Sequence, residues 1–242
     1  MKHITTPYLP ENKVSLFIAD CHIEGATVIT PPSIDILTPS MRRHADLGIV
    51  IVGEKKAVCP PETFSYYCDA LSPYGFEVIM GGTCIGSNYP QDCAYNVGIV
   101  GKKCFLNKSV CDGRLFEILV SEGFEIVEVK QGYTKCSICP VDENSLITGD
   151  DIIAREGQKR GIDVLLIRNA GILLPPYKNG FWGGCCGMSD IDTLMVNGDV
   201  SLITDGEKIK DFLSSKNIKI QNSKEGEVVD IGSIIPLMTS AE

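Results

Sequence analysis

Between positions 96 and 129 the apolar residues change period three times. Residues 96–100 form a short apolar run, Gly101-Lys102-Lys103 reads as a tight turn, and residues 104–106 begin a second strand. Cys111, Leu115, Ile118 and Leu119 then fall at i, i+4, i+7 and i+8, the spacing of one helical face, with Ser109 and Asp112 as candidate N-caps. Gly123 stops the helix, and residues 124–129 return as an alternating strand. The unit is strand, turn, strand, helix, glycine, strand.

The same order recurs along the chain. Upstream, residues 48–52, the turn Gly53-Glu54-Lys55 and residues 57–59 precede a helix with Phe64, Tyr67, Cys68 and Leu71 on one face. Gly75 and a strand over 76–80 complete that copy. Downstream, residues 137–141, Asp142-Glu143-Asn144, residues 145–148, a helix from about Asp150, Gly161 and a strand over 163–167 form another. The last full copy is read as a strand over 193–196, the turn Asn197-Gly198-Asp199, and a strand over 200–204. A helix carrying Ile209, Phe212 and Leu213 follows, then a strand over 218–220. The landmarks Gly75, Gly123, Gly161 and Asn217 are separated by 48, 38 and 56 positions. Such a period argues for an array of units rather than one open sheet.

The two ends supply the missing pieces of a further unit. Residues 14–21 and 26–30 read as strands with no helix of the repeat type between them, and residues 228–237 as a strand with none after it. Pairing the C-terminal strand with the N-terminal ones closes a ring and removes its edges. The expected fold is therefore α/β, a five-unit pseudo-symmetric propeller of strand–strand–helix–strand repeats, read as one domain over 1–242. Two α/β subdomains are the alternative.

Five such units around an axis resemble the pentein fold of the guanidino-modifying enzymes: arginine deiminases, dimethylarginine hydrolases, agmatine deiminases and amidinotransferases. The resemblance covers nearly the whole chain in topology and rests on few identities. The family opens its second unit with an acid, two glycines and an aspartate. Here Tyr89-Pro90-Gln91-Asp92 matches only at Asp92. Tyr133, in Gly132-Tyr133-Thr134-Lys135, falls near the family's catalytic histidine. Counting back four residues from Pro236 puts Gly232 where the family's nucleophilic cysteine lies. Asp46, preceded by His44-Ala45, matches the aspartate that opens the first unit. Both residues that carry the family's covalent chemistry are thus replaced. Glycine supplies no nucleophile, and a phenol with an ordinary pKa of about 10 is a poor base at neutral pH.

Carboxylates remain. Asp46, Asp92, Asp230 and Asp20 all fall at starts or ends of strands, where they either face the axis or merely cap turns. The candidate ligand-binding set is Asp46, Asp92, Lys135 and Asp230. The first reading is a protein of this fold that binds a small cationic or amide-bearing ligand at the axis without the family's Cys/His chemistry and with no cofactor. The second is a thiol-dependent amidino or amide hydrolase with a relocated nucleophile, Cys136 or Cys185, assisted by His44. The third is a non-catalytic interaction protein, because a ribosomal anti-association factor resembles the same ring.

Composition narrows the setting. A net charge of −9 and the lack of any Lys/Arg cluster disfavour nucleic-acid and anionic-membrane partners. No apolar run approaches the roughly 18 residues of a membrane span. Eleven scattered cysteines read as reduced thiols of a cytoplasmic protein. Cys136-Ser137-Ile138-Cys139 has the C-x-x-C spacing, but a strand points its two thiols to opposite faces, and no second such pair completes a zinc site. Phe181-Trp182-Gly183-Gly184-Cys185-Cys186-Gly187 lacks the preceding strand of a nucleophile elbow. Its glycines suit a close backbone approach at the centre, with Cys185 lining a pocket and Trp182 as its wall. Of His3, His22 and His44, only His44 stands where a unit begins.

Overall fold

The structure is a computed structural model and describes residues 2–3 and 6–239. The chain begins with β1 (Lys2–His3), β2 (Val14–Ile18) and β3 (Thr27–Ile29). A single helical turn, α1 (Ala45–Gly48), leads into β4 (Val50–Gly53), β5 (Lys56–Cys59), α2 (Pro61–Leu71) and β6 (Glu77–Met80). The next unit is β7 (Gly98–Val100), β8 (Lys103–Leu106), α3 (Gly113–Ser121) and β9 (Glu125–Glu128). Another single turn, α4 (Thr134–Ser137), precedes β10 (Ile138–Asp142), β11 (Ser145–Thr148), α5 (Asp151–Gln158) and β12 (Asp163–Leu166). The last unit is β13 (Cys186–Asp190), β14 (Thr193–Val196), α6 (Gly206–Ser215) and β15 (Lys219–Asn222), followed by β16 (Ile235–Thr239).

Each of the four complete units makes its own three-stranded sheet. The first two strands form an antiparallel hairpin, and the helix returns the third strand parallel to the second. The fifth sheet joins the two ends of the chain. β16 pairs antiparallel with β2, Ile235 opposite Ile18, and β2 pairs parallel with β3, Leu16 opposite Thr27. The C-terminal strand thus acts as the first strand of a unit whose remainder is N-terminal.

Local chemistry sets the boundaries. Asp112 caps α3 by accepting from the Leu115 amide at 2.9 Å, and Asp150 caps α5 through the amides of Ile152 and Ile153. The landmarks seen in sequence are left-handed residues after helices. Gly75, Gly123 and Gly161 have φ of 76°, 78° and 75°, and Asn217, the non-glycine residue that tolerates this region best, has φ 58°. Burial falls from the first strand of each unit to the third. Every residue of β7 and β16 is buried, whereas β6, β12 and β15 have no buried residue. First strands therefore line the centre and third strands face outward.

Three expectations need correction. The fourth hairpin is β13 with β14, one strand earlier than expected, and Val200–Leu202 is a 3₁₀ turn. Its first strand, Cys-Gly-Met-Ser-Asp, has little β propensity, so the sequence pattern does not reveal it. Residues 228–234 do not extend β16, because Gly232 and Ser233 take φ of 74° and 77° and turn the chain sharply. Cys136 lies in α4 rather than in a strand, so Cys139 alone of the C-x-x-C pair belongs to the sheet. Among the described residues, no helix is long and apolar enough to cross a membrane.

Candidate functional site

Every first strand is preceded by a tight turn. These are α1 before β4, the 3₁₀ turn Gln91–Cys93 before β7, α4 before β10, the 3₁₀ turn Trp182–Cys185 before β13, and the positive-φ pair Gly232-Ser233 before β16. Because the first strands surround the centre, the five turns meet at one end of it.

Asn96 and Ser233 tie the turns together. The Asn96 carboxamide oxygen accepts from the amides of Lys135 at 2.7 Å and Cys136 at 3.3 Å, and its amide group donates to the Asp46 carbonyl and the Cys136 sulfur, both at 3.0 Å. The Ser233 hydroxyl lies 2.7 Å from Asp46 Oδ2 and 2.8 Å from the Gly183 carbonyl, and it accepts from Lys135 Nζ at 3.0 Å. Cys136 Sγ donates to Asp46 Oδ2 at 3.2 Å. All these residues are buried. Gly183 and Gly184 allow the approach: a Cβ at Gly183 would strike the Ile138 and Lys135 carbonyls, and one at Gly184 the Asp230 carboxylate.

A pocket of about 170 Å³ opens over this floor. Its floor is His44, Cys136 and Asp230, and its walls are Met41, Leu174, Tyr133, Phe181, Tyr177 and Asn179. Asp230 accepts from the amides of Phe181 at 2.8 Å and Gly232 at 3.0 Å. His44 Nδ1 stands 3.9 Å from Asp230 Oδ1, an ion-pair separation too long for a hydrogen bond, so both buried ring nitrogens lack a hydrogen-bond partner. Asp46 Oδ1 is also buried and unpartnered. Asp92 joins through Tyr133, whose hydroxyl donates to Asp92 Oδ2 at 2.6 Å.

The electrostatics follow from burial. The Asp230 carboxyl is raised above the usual range by burial, with the Asp46 charge adding to this, and the His44 ring and two backbone amides oppose it. The Cys136 thiol is pushed far up by burial, then by the carboxylates of Asp46 and Asp230. Burial and the hydrogen bond to Asp92 likewise keep Tyr133 protonated. Three buried carboxylates here face one ammonium and one imidazole.

The structure brings together His44, Asp46, Asp92, Lys135, Cys136 and Asp230. Lys135 points away from the pocket, its ammonium on Ser233 and 5.0 Å from the centre of the Tyr8 ring. Cys185 does not line the pocket. It is fully buried, and its thiol donates to the Phe181 carbonyl at 3.1 Å. Trp182 lies in the same apolar cluster, and its neighbour Phe181 forms the wall instead. Asp20 is exposed beyond the end of β2. Asn96, Ser233, Phe181, Tyr177 and Asn179 are not site candidates by sequence. Position before an inner strand was the usable signal for Asn96 and Ser233, and loop residues such as Tyr177 gave none. Among the described residues, no group of three or more His, Cys, Asp or Glu side chains is placed to hold a metal.

Gly232 stands against the turn that opens the first unit. The His44 backbone and ring occupy the space a Cβ at position 232 would need, and the Gly232 carbonyl accepts from the Asp46 amide at 3.1 Å. No side chain fits there while α1 is docked.

Comparison with known proteins agrees with this architecture. The inosamine-phosphate amidinotransferase of Streptomyces griseus superposes with a TM-score of 0.61 at 10% identity, over 100% of this chain and 98% of that one. An amidinotransferase of the saxitoxin pathway from Microseira wollei gives 0.57 at 11% identity, over 90% and 91%. The agmatine deiminase of C. jejuni gives 0.55 at 14%, over 92% and 90%. The fold is accordingly the five-unit pentein fold, and no curated protein matches the sequence. Within that fold the chain belongs to the family of unknown function DUF6873, whose sequence model matches residues 17–235.

Proposed function

We propose that the axial pocket binds a small organic cation, a guanidinium or an amine, over Asp230 and Asp46. The observation that carries this reading is the uncompensated charge of the floor. Asp230 lines the pocket, Asp46 lies outside the lining, bonded to the floor residue Cys136, and keeps one buried oxygen without a partner, and the buried Lys135 ammonium is bonded to Ser233 instead. Buried carboxylates of this kind are stabilised by a partner of opposite charge, and a planar guanidinium offers paired donors to them. Solved enzymes of the same fold include two amidinotransferases and an agmatine deiminase, which agrees with a guanidinium as the cation.

Asp46→Asn tests this reading with little damage to the fold. Its carboxamide oxygen still accepts from Ser233 and Cys136, and the NH₂ takes the place of the unpartnered oxygen. Calorimetric titration with a guanidine should show binding to the parent weakened at least about tenfold in the variant. Equal affinity sinks the assignment.

A second reading is favoured by one fact: Cys136 and His44 line the same pocket. Burial holds the thiol protonated first and the Asp46 and Asp230 carboxylates second, and a bound cation offsets the second of these causes. The thiolate would then add to the guanidinium carbon, its proton passing through His44 to the departing amine, and water would release the urea product and regenerate the thiol. Intact-mass analysis during incubation separates the two readings. A transient adduct on Cys136 with released amine supports hydrolysis, and an unchanged mass at full occupancy leaves binding alone.

A further inference from the structure

We infer that the cation taken by this pocket carries an uncharged, apolar far end, as an aryl- or alkyl-substituted guanidine or amine does, and is not a free amino acid. This rests on the cation-binding reading and specifies it. The pocket is charged at one end only. Asp230 and the unpartnered His44 ring lie on the floor, whereas Met41, Leu174, Tyr133, Phe181, Tyr177 and one neutral polar residue, Asn179, make the walls. Among the described residues no lysine or arginine lines it, and Lys178, exposed beside Tyr177, stays outside. Lys135 is committed below the floor to Ser233 and Tyr8. The α-carboxylate of arginine would leave water for a mainly apolar wall that offers the neutral Asn179 but no counter-charge, and more negative charge would lie below it. That transfer is unfavourable, whereas burial of a ring or alkyl chain is favourable.

The walls also continue outward as an aromatic track. The ring centre of Phe181 is 5.8 Å from that of Tyr133, which is 5.5 Å from that of Tyr89. Tyr89 is half exposed, so the track reaches the surface. On the other side Tyr177 is held at the rim by the hydrogen bond between its hydroxyl and Thr38, 3.2 Å. Aromatic faces along a path to buried carboxylates suit a cation that enters head first and leaves an apolar tail against the rings.

The test is calorimetric titration of the full chain with phenethylguanidine, arginine and phenethylurea, the last a neutral analogue of the first. Phenethylguanidine should bind at least about tenfold tighter than arginine, and the urea at least about tenfold weaker than phenethylguanidine. If arginine binds as tightly as phenethylguanidine, the apolar-tail inference is wrong while cation binding stands. If the urea binds as well as the guanidine, or if none saturates by about 10 mM, the cation reading itself fails and this inference with it. Phe181→Leu keeps the amide that serves Asp230 and removes the ring. It should weaken phenethylguanidine severalfold more than methylguanidine, and equal loss for both places the tail elsewhere.

Discussion

Asn96→Ala is the most informative single perturbation, because one buried carboxamide joins the lead-in turns of three units. Its removal deprives the Lys135 and Cys136 amides and the Asp46 carbonyl of their hydrogen-bond partner, and the Cys136 sulfur of a donor. A buried polar group left unmade costs about 1–3 kcal/mol. The 2.7 Å bond to Lys135 and the 3.0 Å bond to Asp46 carry most of this, and the 3.3 Å bond to Cys136 adds less. A loss of about 3–5 kcal/mol follows, a large share of the 5–15 kcal/mol typical of native proteins. Urea titration followed by circular dichroism measures it, with an unchanged m-value confirming that the unfolded state is the same. Asn107→Ala provides the comparison: that side chain donates to the Lys130 carbonyl at 2.8 Å and accepts from the Ser109 amide and hydroxyl, but these groups are exposed and water replaces the lost bonds, so it should cost under about 1 kcal/mol. If Asn96→Ala costs no more than Asn107→Ala, the three turns do not depend on this contact and the account of the floor is wrong.

Gly184→Ala should abolish cation binding at a stability cost of about 1–3 kcal/mol, because the new methyl displaces the Asp230 carboxylate; unchanged affinity in titration would contradict the placement of Asp230. Gly123→Ala should cost about 1 kcal/mol, since its φ of 78° is strained for alanine but the added Cβ meets nothing within 4 Å, whereas Gly232→Ala should cost far more, as it strikes His44. Similar midpoints for these two variants in urea would refute the packing of α1 against residue 232. The pH dependence follows from Asp230. Its folded pKa lies above the unfolded value of about 3.9, so its contribution to stability is present below that value and is lost as pH rises through the raised one. A bound cation favours the ionised form, so guanidine affinity should rise through the same window, and Asp230→Asn should flatten that profile.

How much could be read without coordinates is shown by particular residues. Period and punctuation sufficed for the ring: helical spacing in Cys111, Leu115, Ile118 and Leu119, the helix-ending Gly75, Gly123, Gly161 and Asn217, and unmatched strands at the two ends. These are local properties, because each depends on a residue's own backbone preference and on a face that must be buried. The fourth hairpin was misplaced because Cys186–Asp190 is a strand by position, paired with β14, and not by propensity. The aspartates were visible as strand-flanking carboxylates, but their meeting was not. Asp46 and Ser233 stand 187 positions apart in the chain, and only closure of the ring brings them within 2.7 Å. The same holds for the thiols. Cys136 and Cys185 are alike in sequence, yet α4 turns one onto a carboxylate floor while the neighbouring turn packs the other into an apolar cluster. Burial and charge at the site are sums over five separate segments, and no single segment contains that information.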